Sequence, residues 1–543
     1  MVLLGLIPFL WYRSRRTLLK DDKMEKGLVR SSKVFAFSTL LSRLTGMARD
    51  MVISWAYGAG PMTDAFFVAF AIPNMLRRFL GEGALGAAVV PVYTGYLSKS
   101  PQEAKKAFSA LLGAAILTLA LVVAMGILFS PFVVRLQVFG WGKGEAFSLT
   151  TSLTRICFPY LFFVSLVALI MGVLNVHGHF FAPAISPCLL NLSLIGAALS
   201  LSPYFDPPIK ALAWGVLFGG VLQLSLQVPY LKVKGLLIRP TLELSHPAVK
   251  EVGRLLFPML IGASVFQINQ IVNRLLASFL PHGSISYLYY ADRVFELPIG
   301  LFAVALGVAA LPAFSRSAAL GDLEGMSRQV SSSLRLSLFE TLPFTVLLFF
   351  YNVPIVSLLF ERGTFESQQT LQTAYALQAF STSIWAYGGI QVLSRAFYAL
   401  KDFKTPLKGA LLASFVNLSL GLVLMWPLKH VGLALANSLS AMVNFFFLFF
   451  SLKKVVSFKE RLSGKIVRIF LASLTFVPWL LCFGVYSPFK TGGLVGKATE
   501  VGLVLSGAGL IYLLASRLLC PEEFNALMSG LEVRNFLIRK GSR

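Results

Sequence analysis

Long apolar runs, separated by short polar or basic stretches, dominate the chain. Residues 111–129, for example, contain nineteen consecutive positions without a charge, close to the ~20 residues that a helix needs to cross a bilayer. A membrane barrel would instead show ~10-residue segments of alternating polarity. Because hydrocarbon offers no partner for backbone N–H and C=O groups, runs of this length must be helical. The pattern therefore predicts an all-α, polytopic membrane helical bundle.

The apolar runs predict about fourteen transmembrane helices. They cover roughly residues 33–57, 63–95, 107–134, 148–174, 183–201, 210–231, 255–279, 286–314, 336–360, 371–400, 408–427, 430–452, 468–486 and 498–516. Pro73, Gly81 and Gly83 interrupt the second of these segments, and Pro298 and Gly300 interrupt the eighth. Broken helices are where transporters commonly build their substrate sites.

Composition supports the membrane interpretation and removes other classes. Of the 543 residues, 56% are hydrophobic and only 13% are charged, against about 25% charged residues in soluble domains. The mean hydropathy of +0.74 excludes a soluble enzyme. It also excludes a disordered chain, which needs low hydrophobicity to stay solvated.

The basic residues orient the bundle. When the first residue of each helix is counted with the loop before it, both tails and the loops before odd-numbered helices hold 33 Lys and Arg residues, whereas the opposite loops hold 7. By the positive-inside rule this asymmetry predicts that both termini lie in the cytoplasm. Attraction to anionic headgroups also accounts for the net charge of +24 without nucleic acid as a partner.

The chain also predicts an internal repeat. LGAAVVPVY at 85–93 recurs as LGVAALPAF at 306–314, and Pro183 recurs as Pro406 at nearly the same offset. An even number of helices lies between the matched landmarks, so the copies are parallel and related by an axis along the membrane normal. Chance similarity between apolar helices is the alternative. The predicted units are an N-lobe at 24–240 (helices 1–6), a C-lobe at 241–455 (helices 7–12), C-terminal helices 13 and 14 at 456–520, and a cytoplasmic tail at 521–543.

Residues 1–23 stand apart from these units. The apolar stretch at 2–11 is followed by Arg13, Arg15 and Arg16, the reverse of the order in a secretory signal. Met24 is an alternative start. We interpret 1–23 as an N-terminal extension or a mis-called start and assign it no function.

Beyond the first residue of each predicted helix, eight basic residues fall inside these helices, and all eight are arginine. They are Arg43, Arg49, Arg77, Arg78, Arg155, Arg274, Arg293 and Arg395. A charge at a helix centre costs about 2.5–3.5 kcal/mol on insertion scales, so the set requires water, counter-ions or protein partners. Arg155, Arg274 and Arg395 lie near predicted helix ends, where their side chains can reach the interface.

The remaining arginines and nearby acids form a candidate substrate-binding cluster on the first, second and eighth helices. Its members are Arg43, Arg49, Asp50, Asp64, Arg77, Arg78, Glu82, Asp292, Arg293 and Glu296. The planar guanidinium grips a phosphate at two points, whereas an ammonium acts as a point charge. The five arginines, which lie among five acids, therefore predict an anionic, phosphorylated substrate. Structural ion pairs that join the helices are the alternative.

Enzyme signatures are sparse in the sequence. No G-x-x-x-x-G-K-[ST] phosphate loop occurs, and His177 and His179 sit two apart, which is a poor spacing for a metal. We predict no cofactor, no metal and no catalytic residue. A membrane glycosyltransferase is the alternative from the enzyme class.

Four segments resemble the MurJ (MviN) family of lipid II flippases, within the multidrug/oligosaccharidyl-lipid/polysaccharide exporter superfamily. They are SRLTGMARD (42–50), TDAFFVAFAIPNMLRRFLGEGA (63–84), YADRVFELP (290–298) and FERGTF (360–365). The resemblance implies fourteen helices, the last two forming an apolar groove for the lipid tail. It also implies transport of undecaprenyl-pyrophosphate-linked peptidoglycan precursor to the outer leaflet of the bacterial inner membrane.

The resemblance carries over to particular positions. The essential cationic positions of the family fall on Arg43, Arg49, Arg77 and Arg293, and further charged positions fall on Asp64, Arg78, Glu82 and Glu296. The sequence departs at Ala71, where the family often has a basic residue. It also has no acid at 262–276, where some relatives have one for sodium.

From both arguments we predict a transporter that works by alternating access and is not an enzyme. Its expected partners are lipid II and membrane lipids, with no nucleic acid, and we expect a monomer. A flippase for another polyprenyl-linked oligosaccharide, such as an O-antigen or capsule unit, is the alternative. A drug exporter fits less well, because it would want an apolar cavity with one or two acids.

Overall fold

The computed structural model describes residues 22–79, 85–456, 458, 462–485 and 493–528. Within these ranges all regular secondary structure is helical, which confirms the predicted all-α class. The helices are α1 (Asp22–Tyr57), α2 (Pro61–Phe79), α3 (Leu85–Lys99), α4 (Pro101–Leu128), α5 (Ser130–Gln137), α6 (Glu145–Cys157), α7 (Tyr160–Val176), α8 (Phe181–Gly196), α9 (Lys210–Val233), α10 (Pro247–Ala277), α11 (Ser284–Pro298), α12 (Val304–Ala319), α13 (Leu323–Phe350), α14 (Asn352–Phe360), α15 (Ser367–Ser381), α16 (Ile384–Ala399), α17 (Lys404–Val455), α18 (Leu462–Leu474), α19 (Val477–Val485) and α20 (Leu494–Leu519). Most of the predicted N-terminal extension (1–21) and the end of the tail (529–543) lie outside the described residues.

The helices are long enough for a multi-pass membrane protein. In the described part of the chain, nine helical stretches have the length and apolar composition to cross a membrane. The 52 residues of α17 form two helices that meet at Lys429, and each is long enough to cross a hydrocarbon core of ~30 Å. The predicted count of fourteen helices stays a prediction.

α17 folds back on itself at Lys429, which has the non-helical angles φ 51° and ψ −133°. A Cβ on Gly432 would lie 2.2 Å from the carbonyl oxygen of Leu424, so the chain passes very close to itself after the break. The break falls between the predicted eleventh and twelfth helices, at 408–427 and 430–452.

One compact unit comprises the described residues up to Ser286 together with Arg362–Phe365. Its core lies among α3, α4, α7 and α9 and includes the buried side chains of Tyr93 and Phe108. α8 packs against both α1 and α9. Gly219 allows the second contact, because a Cβ there would lie 2.7 Å from the side chain of Leu190. This packing places α8 beside the polar residues of α1.

The other unit comprises residues 287–361 and the described residues from Glu366 onward. Its core includes Phe314, Leu334 and Phe397, and α13 packs against α16 and α18. Gly388 lets α16 approach α13, since a Cβ there would lie 2.6 Å from the hydroxyl of Ser337. Compact packing does not test for an internal repeat, so the lobes at 24–240 and 241–455 stay a prediction.

One predicted interruption corresponds to irregular backbone: a π-helical turn at Ile299–Ala303 joins α11 to α12 directly after Pro298. By contrast, α2 continues through Pro73, and Gly81 and Gly83 lie outside the described residues. Proline removes a backbone donor and disturbs the preceding turn, and π-helical turns are frequent at functional sites. The eighth predicted segment is therefore a broken helix that carries charged residues on its first half.

Candidate functional site

α1 carries an arginine held by an acid and an amide. Nε and Nη2 of Arg49 donate to Oδ1 of Asp50 at 2.9 and 2.7 Å, and Nη1 donates to Oδ1 of Asn191 at 3.1 Å. The amide of Asn191 in turn donates to the carbonyl oxygen of Ser42 and the hydroxyl of Thr45. The guanidinium is thus fixed between α1 and α8 with its charge balanced locally.

Arg43 differs from Arg49 in its surroundings. It is exposed, whereas the side chain of Arg49 is 11% exposed and that of Asp50 only 2%. Seven residues separate Arg43 from Asp50, which places them roughly 20° apart around the helix. Arg43 therefore lies on the Asp50 side of α1 and is accessible to an anionic ligand.

Asp64 on α2 caps another helix. It is fully buried, and its carboxylate accepts from the N–H of Gly283 at 2.6 Å and from the N–H and hydroxyl of Ser286 at 2.7 and 2.5 Å. These backbone donors belong to the start of α11, where the first N–H groups of a helix have no partner within it. The carboxylate also suits the positive end of the helix dipole.

α11 presents Arg293 in a defined but accessible position. Nη1 of Arg293 donates to Oε2 of Glu296 at 3.1 Å, and its guanidinium lies 4.8 Å from the ring centre of Tyr289. The side chain of Arg293 is 25% exposed and that of Glu296 is 48% exposed. Asp292 is partly buried beside them. An exposed pair of this kind contributes at most about 1 kcal/mol, so a stronger anionic ligand can replace Glu296.

Three members of the predicted cluster cannot be located as side chains. Arg77 and Arg78 lie in the last turn of α2, but their side chains and the whole of Glu82 lie outside the described residues. Two of the three arginines predicted to reach the interface have polar partners. Arg155 donates to the hydroxyl of Ser130 at 2.9 Å, and Arg274 donates to the side chain of Gln137 at 3.0 Å.

Of the predicted cluster, the structure pairs Arg49 with Asp50 and Arg293 with Glu296. Asp64 instead accepts hydrogen bonds from the start of α11. Sequence reasoning missed Asn191, whose signal was an amide alone in the apolar run of α8. It also missed Ser286, which a serine at a helix start could have indicated. In the described part of the chain no three His, Cys, Asp or Glu residues lie close enough to hold a metal.

Comparison with known proteins identifies the family. Residues 53–499 match the family described as lipid II flippase MurJ. The probable lipid II flippase MurJ of Vibrio cholerae is 34% identical over 522 residues, covering 94% of this chain and 99% of the relative. The lipid II flippase MurJ of Burkholderia cenocepacia is 37% identical over 422 residues, covering 77% and 82%. The chain belongs to the MurJ family.

Solved structures agree with this membership. A structure of lipid II flippase MurJ in an inward closed conformation aligns with a TM-score of 0.75 and 28% identity, covering 89% of this chain and 98% of that chain. A multidrug resistance MATE family transporter in an inward-facing conformation aligns with a TM-score of 0.63 and 15% identity, covering 77% and 94%. The MATE likeness shows a common fold alone, whereas the MurJ family resemblance predicted from the four motifs is confirmed.

Proposed function

We propose that the protein is a transporter that moves lipid II from the inner to the outer leaflet of the bacterial cytoplasmic membrane by alternating access. The observation that carries this proposal is the match to the MurJ family over residues 53–499. Lipid II is an undecaprenyl-linked pyrophosphate, so its headgroup carries the negative charge that the arginine cluster predicts. The protein then supplies lipid II to peptidoglycan synthesis and catalyses no covalent step.

We propose that Arg43, Arg49, Arg77 and Arg293 bind the pyrophosphate. The exposure of Arg43 and the replaceable partner of Arg293 support this assignment. Guanidinium groups also bond phosphate oxygens in pairs. Asp292 and the charged positions Arg78 and Glu82 complete the proposed electrostatic environment.

The acids of the cluster have positioning roles in this proposal. Asp50 fixes the guanidinium of Arg49, Glu296 holds Arg293 until an anion arrives, and Asp64 holds the start of the helix that carries Arg293. None of these carboxylates needs to contact the substrate. Such contact would be unfavourable, because a carboxylate and a pyrophosphate carry charges of the same sign.

We further propose that the polyprenyl tail lies along α18, α19 and α20. These helices expose large apolar side chains, among them Phe470, Leu481, Leu503 and Leu514. A chain of isoprene units gains free energy by contact with such a surface or with lipid, and it needs no polar partner. We place both termini in the cytoplasm, as the charge asymmetry predicts, and propose a monomer.

Binding can drive the change of state only if the two states differ in affinity for the substrate. The arginines of the empty site repel one another where Asp50 and Glu296 do not neutralise them, and a bound pyrophosphate removes the remaining repulsion. Movement of charge through the membrane potential is worth ~2.3 kcal/mol per elementary charge at 100 mV. The membrane potential is therefore a candidate energy source, beside coupling to protons or sodium ions.

The test replaces single arginines in a strain depleted of its own flippase. Arg77→Ala and Arg293→Ala are expected to abolish growth at normal membrane abundance, because each removes a pyrophosphate ligand. Arg316→Ala is the matched control, since Arg316 is exposed on α12 and lies outside the proposed site. Full complementation by both site variants would contradict the binding role.

The substrate is tested by the lipid-linked precursor that accumulates on depletion. Mass spectrometry of the membrane lipids is expected to show lipid II, with the headgroup accessible from the cytoplasmic side only. Accumulation of a different polyprenyl-linked glycolipid would select the alternative flippase and reject lipid II.

A further inference from the structure

Glu340 is an acidic residue of α13 that the proposed transport site does not use. It lies within the predicted ninth transmembrane helix, in the sequence LFETLPF at 338–344. The residue is partly buried. Its Oε2 is closed to solvent and makes no hydrogen bond with any described residue. An ionisable group placed inside a membrane helix indicates function by default.

Two hydroxyl groups near Glu340, those of Tyr512 and Thr341, donate to backbone carbonyl oxygens instead of to the carboxyl. The hydroxyl of Tyr512 on α20 donates to the carbonyl oxygen of Phe339 at 2.7 Å, and the hydroxyl of Thr341 donates to the carbonyl oxygen of Ser337 at 2.7 Å. The rings of Phe339 and Tyr512 lie 5.3 Å apart, so α20 contacts α13 at this level.

The charged and titratable groups of the neighbouring helices do not compensate the carboxyl. Arg335, five residues earlier, lies roughly 140° away around α13 and pairs with Glu522 and Glu523. Five further charged or titratable side chains on the neighbouring helices contact a partner other than Glu340: Lys465 contacts Glu522, Lys497 contacts Glu361, Glu500 contacts Tyr351, Tyr387 contacts Asn437, and Arg395 contacts the ring of Tyr398. The exposed charges on these helices and on α13 are Arg316, Glu324, Arg328, Arg468 and Arg517.

We propose that Glu340 is a proton-binding site inside the membrane and that it holds its proton while α13 and α20 are packed together. A carboxylate without a cation or a donor in apolar surroundings is far more costly than the neutral acid. A metal cation would need several oxygen ligands, and the described residues offer no such group here. A proton needs only the one carboxyl.

Proton binding and helix packing are then linked. Loss of the proton leaves a charge against the contact between Phe339 and Tyr512, so it favours separation of α20 from α13 and entry of water. By the same linkage, separation of the helices favours loss of the proton. The protein is therefore expected to become less stable as the pH of the medium rises through the range in which Glu340 ionises.

The first experiment detects the proton directly in the full-length protein in detergent. Infrared spectra of the wild type at neutral pH are expected to show the C=O band of a protonated carboxyl. Glu340→Gln is expected to remove one carboxyl from that band. Glu324→Gln is the matched control, because Glu324 is exposed in the first turn of the same helix, and it is expected to leave the band unchanged. Identical spectra for the wild type and Glu340→Gln would overturn the proposal.

The second experiment measures the midpoint of thermal unfolding against pH. The wild type and Glu324→Gln are expected to lose stability toward alkaline pH, and Glu340→Gln is expected to lose this slope. An amide mimics the neutral acid in shape and charge, so Glu340→Gln must fold if the proposal holds. A variant that fails to fold, or that keeps the full slope, would overturn it.

Discussion

Asp64 offers the sharpest test of how the site is held together. Replacement by alanine leaves three buried donors without an acceptor: the N–H of Gly283 and the N–H and hydroxyl of Ser286. Each buried donor left unsatisfied costs about 1–3 kcal/mol. Even at the lower end, the three together destabilise the protein by about 3 kcal/mol. The start of α11 also loses a negative charge that suits its dipole.

Asp64→Asn removes the negative charge of the side chain but keeps its shape, so it distinguishes the two contributions to stability. The amide oxygen can still accept both bonds from Ser286, but the NH₂ group faces the N–H of Gly283 as a second donor. One hydrogen bond to a charged acceptor is lost, which is worth about 1.5–3 kcal/mol. We therefore expect the stability order wild type, then Asp64→Asn, then Asp64→Ala. Ser286→Ala keeps the backbone bond and is expected to cost only about 0.5–1.5 kcal/mol.

The assay is thermal unfolding of the full-length protein in detergent, with Glu243→Gln as a control because Glu243 is exposed. A double-mutant cycle between Asp64→Ala and Ser286→Ala isolates their interaction, which for residues in direct contact is typically 0.5–3 kcal/mol. If Asp64→Ala matches the wild type in stability, or if the two changes are strictly additive, then the carboxylate does not support α11 and the reasoning fails.

Three further predictions concern other parts of the molecule. Gly363→Ala is expected to lower the midpoint of thermal unfolding more than Gly321→Ala. Both glycines have a positive φ, of 57° and 67°, but only at Gly363 would a Cβ meet a backbone oxygen, that of Trp55, at 2.4 Å. Arg49→Lys keeps the charge but loses the fork that bonds the adjacent carboxylate and the amide of α8, so complementation is expected to fall, and normal growth would contradict this. The hydrogen bond from Lys465 lowers the pKa of Glu522. The ionised carboxylate therefore stabilises the protein above the unfolded-state pKa of about 4.3, and this stabilisation is lost as the pH falls through the lowered pKa of the folded state. Glu522→Gln should lower the unfolding midpoint at neutral pH and match the wild type in acid, and an equal difference at both pH values would refute the linkage.

The helices were predictable because a membrane imposes a local rule. Every backbone group in hydrocarbon must be satisfied within its own segment, so apolar length alone identifies helical stretches such as α4 and α13. The pair of Arg293 and Glu296 was predictable for a similar reason, since residues three apart share a helix face. The bond between Arg49 and Asp50 was less accessible, because adjacent residues point in different directions and meet only when the long arginine folds back.

The partners of Asp64 and Arg49 on distant helices were not predictable from the sequence. More than two hundred residues separate Asp64 from Ser286, and more than one hundred separate Arg49 on α1 from Asn191 on α8. Periodicity reports which face of a helix is apolar, but it carries no information on which other helix meets that face. Sequence reasoning therefore grouped the acids by their proximity to arginine, whereas the structure distinguishes them by the donors that they accept from.

This distinction changes what each arginine can contribute to an anion site. Asp50 is 2% exposed, and breaking a buried pair by removing one partner costs about 3–5 kcal/mol. Arg49 therefore stays paired with Asp50 when an anion binds, and the pair adds little net charge to the site. Glu296 is 48% exposed, and an exposed pair is worth at most about 1 kcal/mol, so Arg293 can exchange its carboxylate for a phosphate oxygen. Of these two arginines, Arg293 should therefore contribute more to the attraction of the headgroup, while Arg49 should determine its orientation through the fixed fork between α1 and α8.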